Sequence, residues 1–306
     1  MRRCTQVRDG ADSAYRPQGR DAKLFRPAAF NIIMAAPNLI RIDSLDDLRV
    51  AAYRNLRDRT LRGQWMFVAE GSLLVLRLLK SRFATKSLLV AEPLVAEFLP
   101  HVREGVPIYV AAEPLLQAII GFHLHQGVLA AGGRRAEMSL EEMLGPPGDR
   151  PLGIIVCPHI TKPENMGLIF RVAAGLGADG LVLGPQCCDP FSRRCLRVSM
   201  GAVLRAPYRK SLELVADLDA LRDRWGVEML AAVLDERAAS LATVRWPRRA
   251  AVLFGNEFDG LSDSWLEYCT QRATIPMAQE TDSLNLGVAA GIFVYEMIRG
   301  RDSFST

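Results

Sequence analysis

The run LGIIVC (152–157) carries no charged side chain and no alternation. A strand with one wet face alternates apolar and polar residues, whereas a strand of a parallel sheet covered on both faces does not. The chain beyond it keeps the same rhythm. A helical pattern over about 165–176 precedes strand GLVLG (180–184), a strand near AVLRAPY (202–208) and a helix near 212–225. Strands VEMLAAVL (227–234) and AAVLFG (250–255) then lead to helix SDSWLEYC (262–269), with Ser262 as its N-cap. Strand RATIPM (272–277) and a long closing helix over 283–299 complete the series. Strand and helix alternate throughout, which predicts an α/β unit around a mostly parallel sheet over 151–306.

The upstream half reads differently. WMFVAE (65–70), KSLLVAE (86–92), PIYVA (107–111) and GVLAAG (127–132) are short strands, with an amphipathic helix at 71–81 and further helices between. Residues 38–132 therefore form a second, smaller α/β unit, joined through a Gly-, Pro- and charge-rich linker over 133–150 with room for one helical turn. Residues 1–37 hold six Arg and one Lys against three Asp with little periodicity, and read as a disordered tail. Met34 has the look of an alternative start.

Two domains suit a chain of 306 residues. No stretch reaches the roughly 20 apolar residues of a membrane span, and no secretory h-region stands at the N-terminus, so neither a membrane partner nor export is expected. The net charge is only +4, yet 33 of the 38 cations are Arg. The guanidinium fork suits phosphate and stacked bases, so nucleic acid is a permitted partner, although codon bias gives the same count. The six cysteines form no C-x-x-C pair, which fits a reducing cytoplasm and argues against disulfides or a zinc site among Cys157, His159, Cys187, Cys188 and Cys195. No metal is expected.

GLGADG (175–180) has the spacing of a dinucleotide turn. That fingerprint works only between a strand and the N-terminus of a helix. Here it follows a helix and precedes a strand, so its glycines read as a helix stop and a strand start, and a nicotinamide enzyme is disfavoured.

Chemistry gathers in three other stretches, each at a strand end or helix start: KPENMGLIFR (162–171), FGNEFDGLSDS (254–264) and IPMAQETDSLNLGVAAG (275–291). Ligands of open α/β sheets sit beyond the carboxyl ends of strands. Taken singly, each stretch could equally be caps and turns.

Together they resemble the SpoU (TrmH-type) RNA ribose 2′-O-methyltransferases of the SPOUT class. Motif 1, N-x-G-x-x-x-R, is present as Asn165, Gly167 and Arg171. Motif 2, G-x-E-x-x-G-L-S, is present as Gly255, Glu257, Gly260, Leu261 and Ser262. Motif 3, I-P-M followed by S-L-N, is present as Ile275, Pro276, Met277, Ser283, Leu284 and Asn285. RVSMGA (197–202) is similar to the family's S-x-G-A segment, and FVAEG (67–71) with HQGVLA (125–130) to its N-terminal, L30e-like RNA substrate-binding domain.

The resemblance implies a deep trefoil knot in the C-terminal domain and a homodimer formed through it. It implies an S-adenosylmethionine pocket touched by Gly255, Ile275 and Leu284, and transfer of its methyl to a ribose 2′-hydroxyl of rRNA or tRNA. Asn165, Arg171, Glu257, Ser283 and Asn285 fall on the family's catalytic positions. Arg171 is the family's base, a role that suits a guanidinium poorly because it keeps its proton near neutrality; clamping a phosphate and steadying the developing alkoxide is the alternative. Five positions depart from the pattern: Lys162 replaces a common acid, Phe258 and Asp259 fill the glycine-rich middle of motif 2, Gln279 stands for Gly and Gly287 for Ser. A non-catalytic RNA-binding protein on the same scaffold is the contrasting reading.

Overall fold

The computed structural model describes residues 38–56, 65–124, 126–278 and 283–302. The tail with Met34, His125 of the second upstream motif, and Gln279 lie outside the described residues. The fold is α/β, with two sheets, one of them wholly parallel and the other mixed.

The first sheet holds β1 (Leu39–Arg41), β2 (Met66–Glu70), β3 (Thr85–Ala91), β4 (Ile108–Ala111) and β5 (Val128–Gly133), in the order β1-β4-β3-β5-β2. β1, β4 and β3 run parallel, while β5 is antiparallel to both β3 and β2. Helices α1 (Ser72–Leu79), α2 (Val95–Phe98) and α3 (Glu113–Ile120) connect these strands. The two upstream motifs meet here. Gln126 accepts from the amide of Ser72 at 2.9 Å, supplying at the start of α1 the acceptor that an N-cap side chain normally gives.

The stretch read as a linker holds one short helix. Helix α4 (Leu140–Leu144) opens with a capping box in which Ser139 and Glu142 satisfy each other's amides. Its Leu140, Met143 and Leu144 are buried with Leu152 and Ile154 of the second sheet. The S-L-E-E spacing carried that signal.

The second sheet runs β10-β12-β9-β11-β6-β7-β8 and is parallel at every pairing. Its strands are β6 (Leu152–Cys157), β7 (Gly180–Leu183), β8 (Tyr208–Lys210), β9 (Glu228–Ala232), β10 (Ala239–Ser240), β11 (Arg249–Phe254) and β12 (Gln271–Thr274). β6 is buried along its whole length, as an unbroken apolar run requires. Helices α5 (Pro163–Leu176), α6 (Arg193–Val198), α7 (Leu214–Trp225), α8 (Asp263–Tyr268) and α9 (Leu286–Asp302) accompany the strands. The chain leaves β6 toward β7 and β8, then crosses back to β9 and β11, so the order reverses between β6 and β11.

Some expectations need correction. The strand expected over 202–208 is a 3-10 turn, Ala202–Leu204, followed by β8 only from Tyr208. Preceding it, α6 is an element the residue pattern does not announce, though Ser192 caps it by accepting from the Cys195 amide at 3.3 Å. The last strand stops at Thr274, leaving 275–277 free of the ladder. Ser262 occupies the N-cap position of α8, but its hydroxyl pairs with Ser264 instead of a helix amide. Gly177 ends α5 at φ 78°, and the amides of Gly177 and Ala178 both reach the Ala173 carbonyl at 3.0 Å. GLGADG is a helix stop.

The two sheets share a continuous core. Phe67 of β2 stacks on Phe191 with centroids 4.5 Å apart. Arg193 bridges to Glu70 at 2.7 Å, and Arg134 to Asp189 at 2.5 Å. Among the described residues, no helix is long and apolar enough to cross a membrane.

Candidate functional site

The sheet builds the site at its carboxyl edge. β9 runs on into Val233, Leu234 and Asp235, β11 turns into the loop 255–261, and β12 runs on through Ile275 toward α9. These segments enclose a cavity of about 550 Å³, within the range of small-molecule sites. It lies beside the reversal of strand order, where open α/β sheets bind ligands.

The motif 2 loop owes its shape to one missing side chain. A Cβ on Gly255 would stand 2.0 Å from the Gly260 carbonyl carbon and 2.3 Å from the Leu261 nitrogen. Without it the loop folds flat on itself: Asn256 and Gly260 exchange backbone hydrogen bonds of 3.1 and 3.3 Å. The side-chain carbonyl oxygen of Asn256 accepts from the amides of Phe258 and Asp259, each at 2.7 Å. The backbone of this loop is therefore presented to the cavity at close range.

A chain of hydrogen bonds ties the three motifs together at the cavity wall. Asn285, at the start of α9, accepts from the Gly287 amide at 2.9 Å and so caps the helix. Its Nδ2 donates to Asn165 Oδ1 at 3.0 Å, and Asn165 Nδ2 donates to Glu257 Oε1 at 2.6 Å. Thr161, which no sequence motif singles out, reaches Glu257 Oε2 at 3.5 Å. Asn165 is buried on α5, with 4% of its surface exposed. A buried amide needs both its donor and its acceptor satisfied, and here each is used on a different motif.

Seven of the eight expected residues line this cavity: Asn165, Gly255, Glu257, Ile275, Ser283, Leu284 and Asn285. Ser283 and Asn285 stand just before α9, not within its first turn. Arg171 does not line the cavity. Six positions on from Asn165, it is turned about 120° around α5 and is exposed. Asp235 and Arg272 line the wall as well, and neither belongs to a sequence motif; the position of Asp235 soon after β9 was its available signal.

Two departures from the family pattern turn out to be partners. The Lys162 ammonium lies 4.6 Å from the centre of the Phe258 ring at the cavity edge. A third has a steric cause: a Cβ on Gly287 would come within 2.6 Å of Leu168, because α9 presses on α5 there.

Known proteins share this fold. Residues 153–295 match the SpoU rRNA Methylase family. An uncharacterized tRNA/rRNA methyltransferase of Mycobacterium tuberculosis is 37% identical over 264 residues, covering 83% of this chain and 90% of that protein. The chain belongs to the SpoU family. The 23S rRNA (guanosine-2′-O-)-methyltransferase RlmB of Acinetobacter baylyi, another relative, is 26% identical over 200 residues, 64% of this chain and 80% of that protein. Among solved structures, an AdoMet-bound rRNA methyltransferase from Sinorhizobium meliloti superposes with a TM-score of 0.71 at 26% identity, covering 86% of this chain and 98% of that one. The matched span 153–295 contains all three converging stretches.

Proposed function

We propose that this SpoU protein transfers the methyl group of S-adenosylmethionine to a ribose 2′-hydroxyl of structured RNA, either rRNA or tRNA. The observation that carries the reading is the hydrogen-bonded series Asn285–Asn165–Glu257 on the wall of a cavity with a glycine-pinned backbone loop. The names of the relatives support it, since RlmB is a guanosine 2′-O-methyltransferase.

The cavity suits the cofactor. Leu261, Ile275, Leu284 and Phe293 give apolar walls for an adenine, and the bare backbone at Gly255 offers close hydrogen-bonding groups. Glu257 and Asp235 supply carboxylates compatible with a cationic, amine-bearing ligand. When bound, S-adenosylmethionine supplies an electrophilic methyl group. The protein's own work is to orient. Asn165 holds Glu257 in one rotamer, Asn285 holds Asn165, and the cap on α9 holds Asn285. Arg171, exposed and in no salt bridge among the described residues, is available to an RNA phosphate. A guanidinium keeps its proton near neutrality, which favours this cationic role over that of base.

The remaining family features are part of the same reading: a trefoil knot formed by the motif 2 and motif 3 loops, an L30e-like RNA-binding unit over 38–132 and a knotted domain over 151–306, and residence in the cytoplasm. Dimerisation is supported by α9. Ala290, Phe293, Val294 and Met297 are buried, while Val288, Ile292 and Tyr295 leave an exposed stripe at i, i+4 and i+7. Light scattering on the purified protein tests the homodimer.

The decisive experiment is methyl transfer from radiolabelled S-adenosylmethionine to deproteinised rRNA and tRNA, followed by mapping of alkali-resistant linkages. A resistant linkage at a discrete nucleotide is expected. Transfer to a base, or RNA binding without transfer, overturns the reading.

A further inference from the structure

The cavity does not account for the segment RVSMGA (197–202). After α6 the chain makes a turn of two left-handed residues, Met200 at φ 52° and Gly201 at φ 74°. For a residue with a side chain this conformation is strained, so surrounding contacts must hold it. The amides of Met200 and Gly201 close back on the carbonyls of Arg197 and Leu196, both at 3.0 Å. The Met200 carbonyl in turn accepts from the Arg77 guanidinium of α1, which belongs to the other sheet.

Three elements at this turn each carry an arginine, and the Arg77 guanidinium reaches the turn itself. Arg77 comes from α1, and its Cδ would lie 3.2 Å from a Cβ at Gly201. Arg205 follows the 3-10 turn Ala202–Leu204, its amide bonded to the Ala202 carbonyl at 2.9 Å. Arg171 projects from α5, which packs on that same 3-10 turn. Three nearby arginines hold carboxylates: Arg134 with Asp189, Arg193 with Glu70 and Arg194 with Glu164. Arg77, Arg171 and Arg205 hold none among the described residues, and Arg77 bonds only the Met200 carbonyl. Burial first, then the positive charges of Arg205 and Arg171, lower the pKa of Arg77 from its ordinary value. Gathering three like charges without a counter-ion is unfavourable until an anion arrives.

We infer that Arg77, Arg171 and Arg205 form a cleft for the RNA phosphodiester backbone at the junction of the two sheets. The inference rests on the proposed RNA methyltransferase activity and adds that the upstream unit contributes Arg77 to the same phosphate site as the motif 1 arginine. A phosphodiester is the fitting anion because the planar fork binds phosphate oxygens in pairs. The 2′-hydroxyl to be methylated is also flanked by the phosphate of its own nucleotide, so a site that positions the ribose must accommodate that charge.

The test measures binding of a fluorescein-labelled RNA hairpin by anisotropy across a salt series, for the full chain and for Arg205→Gln and Arg77→Gln/Arg205→Gln. The Arg205 side chain makes no hydrogen bond among the described residues, so the single variant keeps the fold. Calorimetry with S-adenosylmethionine supplies the control. Arg205→Gln should weaken RNA binding several-fold and reduce the slope of log K against log salt by about 0.7–0.9 for the lost phosphate contact. The double variant should lose about twice that slope, with cofactor affinity unchanged. If the unaltered protein binds and methylates RNA while both variants keep its affinity and slope, the cleft is wrong and the methyltransferase reading stands. If the unaltered protein neither binds nor methylates RNA, the RNA reading fails and the cleft with it.

Discussion

Asn165 donates to Glu257 across 2.6 Å, and with its other amide atom it accepts from Asn285. One buried side chain thereby sets the relative position of helix α5, the motif 2 loop and the start of α9.

Replacing Asn165 with Ala removes both bonds and leaves Glu257 without its closest donor. Glu257 is half-buried and Asn285 exposed, so each lost bond costs about 0.5–1.5 kcal/mol net, and the urea midpoint should fall by a corresponding amount. Single-turnover methyl transfer should fall more steeply, by at least tenfold, because the carboxylate loses its fixed rotamer. Equal small effects on both readouts would assign Asn165 a purely structural role.

Gly255 and Gly260 belong to one loop but should respond differently to Ala. At Gly255 the new methyl meets backbone at 2.0 Å, and the loop must open. Cofactor affinity measured by calorimetry should fall more than tenfold. At Gly260 nothing lies within 4 Å, although φ is +68°. There the cost is conformational, about 1–2 kcal/mol, and should appear mainly in thermal stability.

Arg171→Lys separates chemistry from folding. The side chain is exposed, and exposed substitutions away from structural contacts change stability by about 0.5 kcal/mol or less. Methyl transfer should nevertheless lose most of its rate, since an ammonium does not reproduce the bidentate fork. Near-normal single-turnover rates would remove Arg171 from the mechanism.

The thiols predict a stability loss at high pH. Burial raises Cys157 and Cys195 well above an ordinary thiol, and raises Cys188 and Cys269 to about 12. The sign follows from proton counts. Above about pH 8.5 the unfolded thiols ionise while the folded ones stay protonated, so the unfolded state binds fewer protons and stability falls as pH rises. For Cys188 and Cys269 the loss spans the interval from the unfolded value up to about 12. Urea midpoints measured across alkaline pH should decline, and Cys157→Ala should flatten the decline. The same protonation makes these thiols slow toward Ellman's reagent in the native protein near pH 8; fast stoichiometric labelling of Cys157 would contradict its burial.

Lys162 and Phe258 illustrate what a linear chain hides. Each departs from the family pattern, in motifs nearly a hundred positions apart, and each looks like an isolated loss. The fold brings the ammonium over the ring, where an exposed cation–π contact is worth about 0.5–1 kcal/mol. The 3-10 turn Ala202–Leu204 was hidden in the same way, because AVLRAPY has the composition of a strand. That turn packs on α5 and follows a left-handed pair whose Met200 carbonyl is held by Arg77.

By itself, the sequence determined the alternation of strand and helix and the parallel character of the second sheet, which follow from burial periodicity, a property local along the chain. The residues expected at the cavity came from the resemblance of three motifs to the SpoU family, and Asp235 and Arg272 of its wall were not among them. Only the tertiary structure decided that Asn165 would join Asn285 to Glu257, that Arg171 would turn away from the cavity, and that Arg77 would meet it from another sheet. Such pairings depend on helix rotation and on where distant elements pack, and no local pattern of residues encodes those distances.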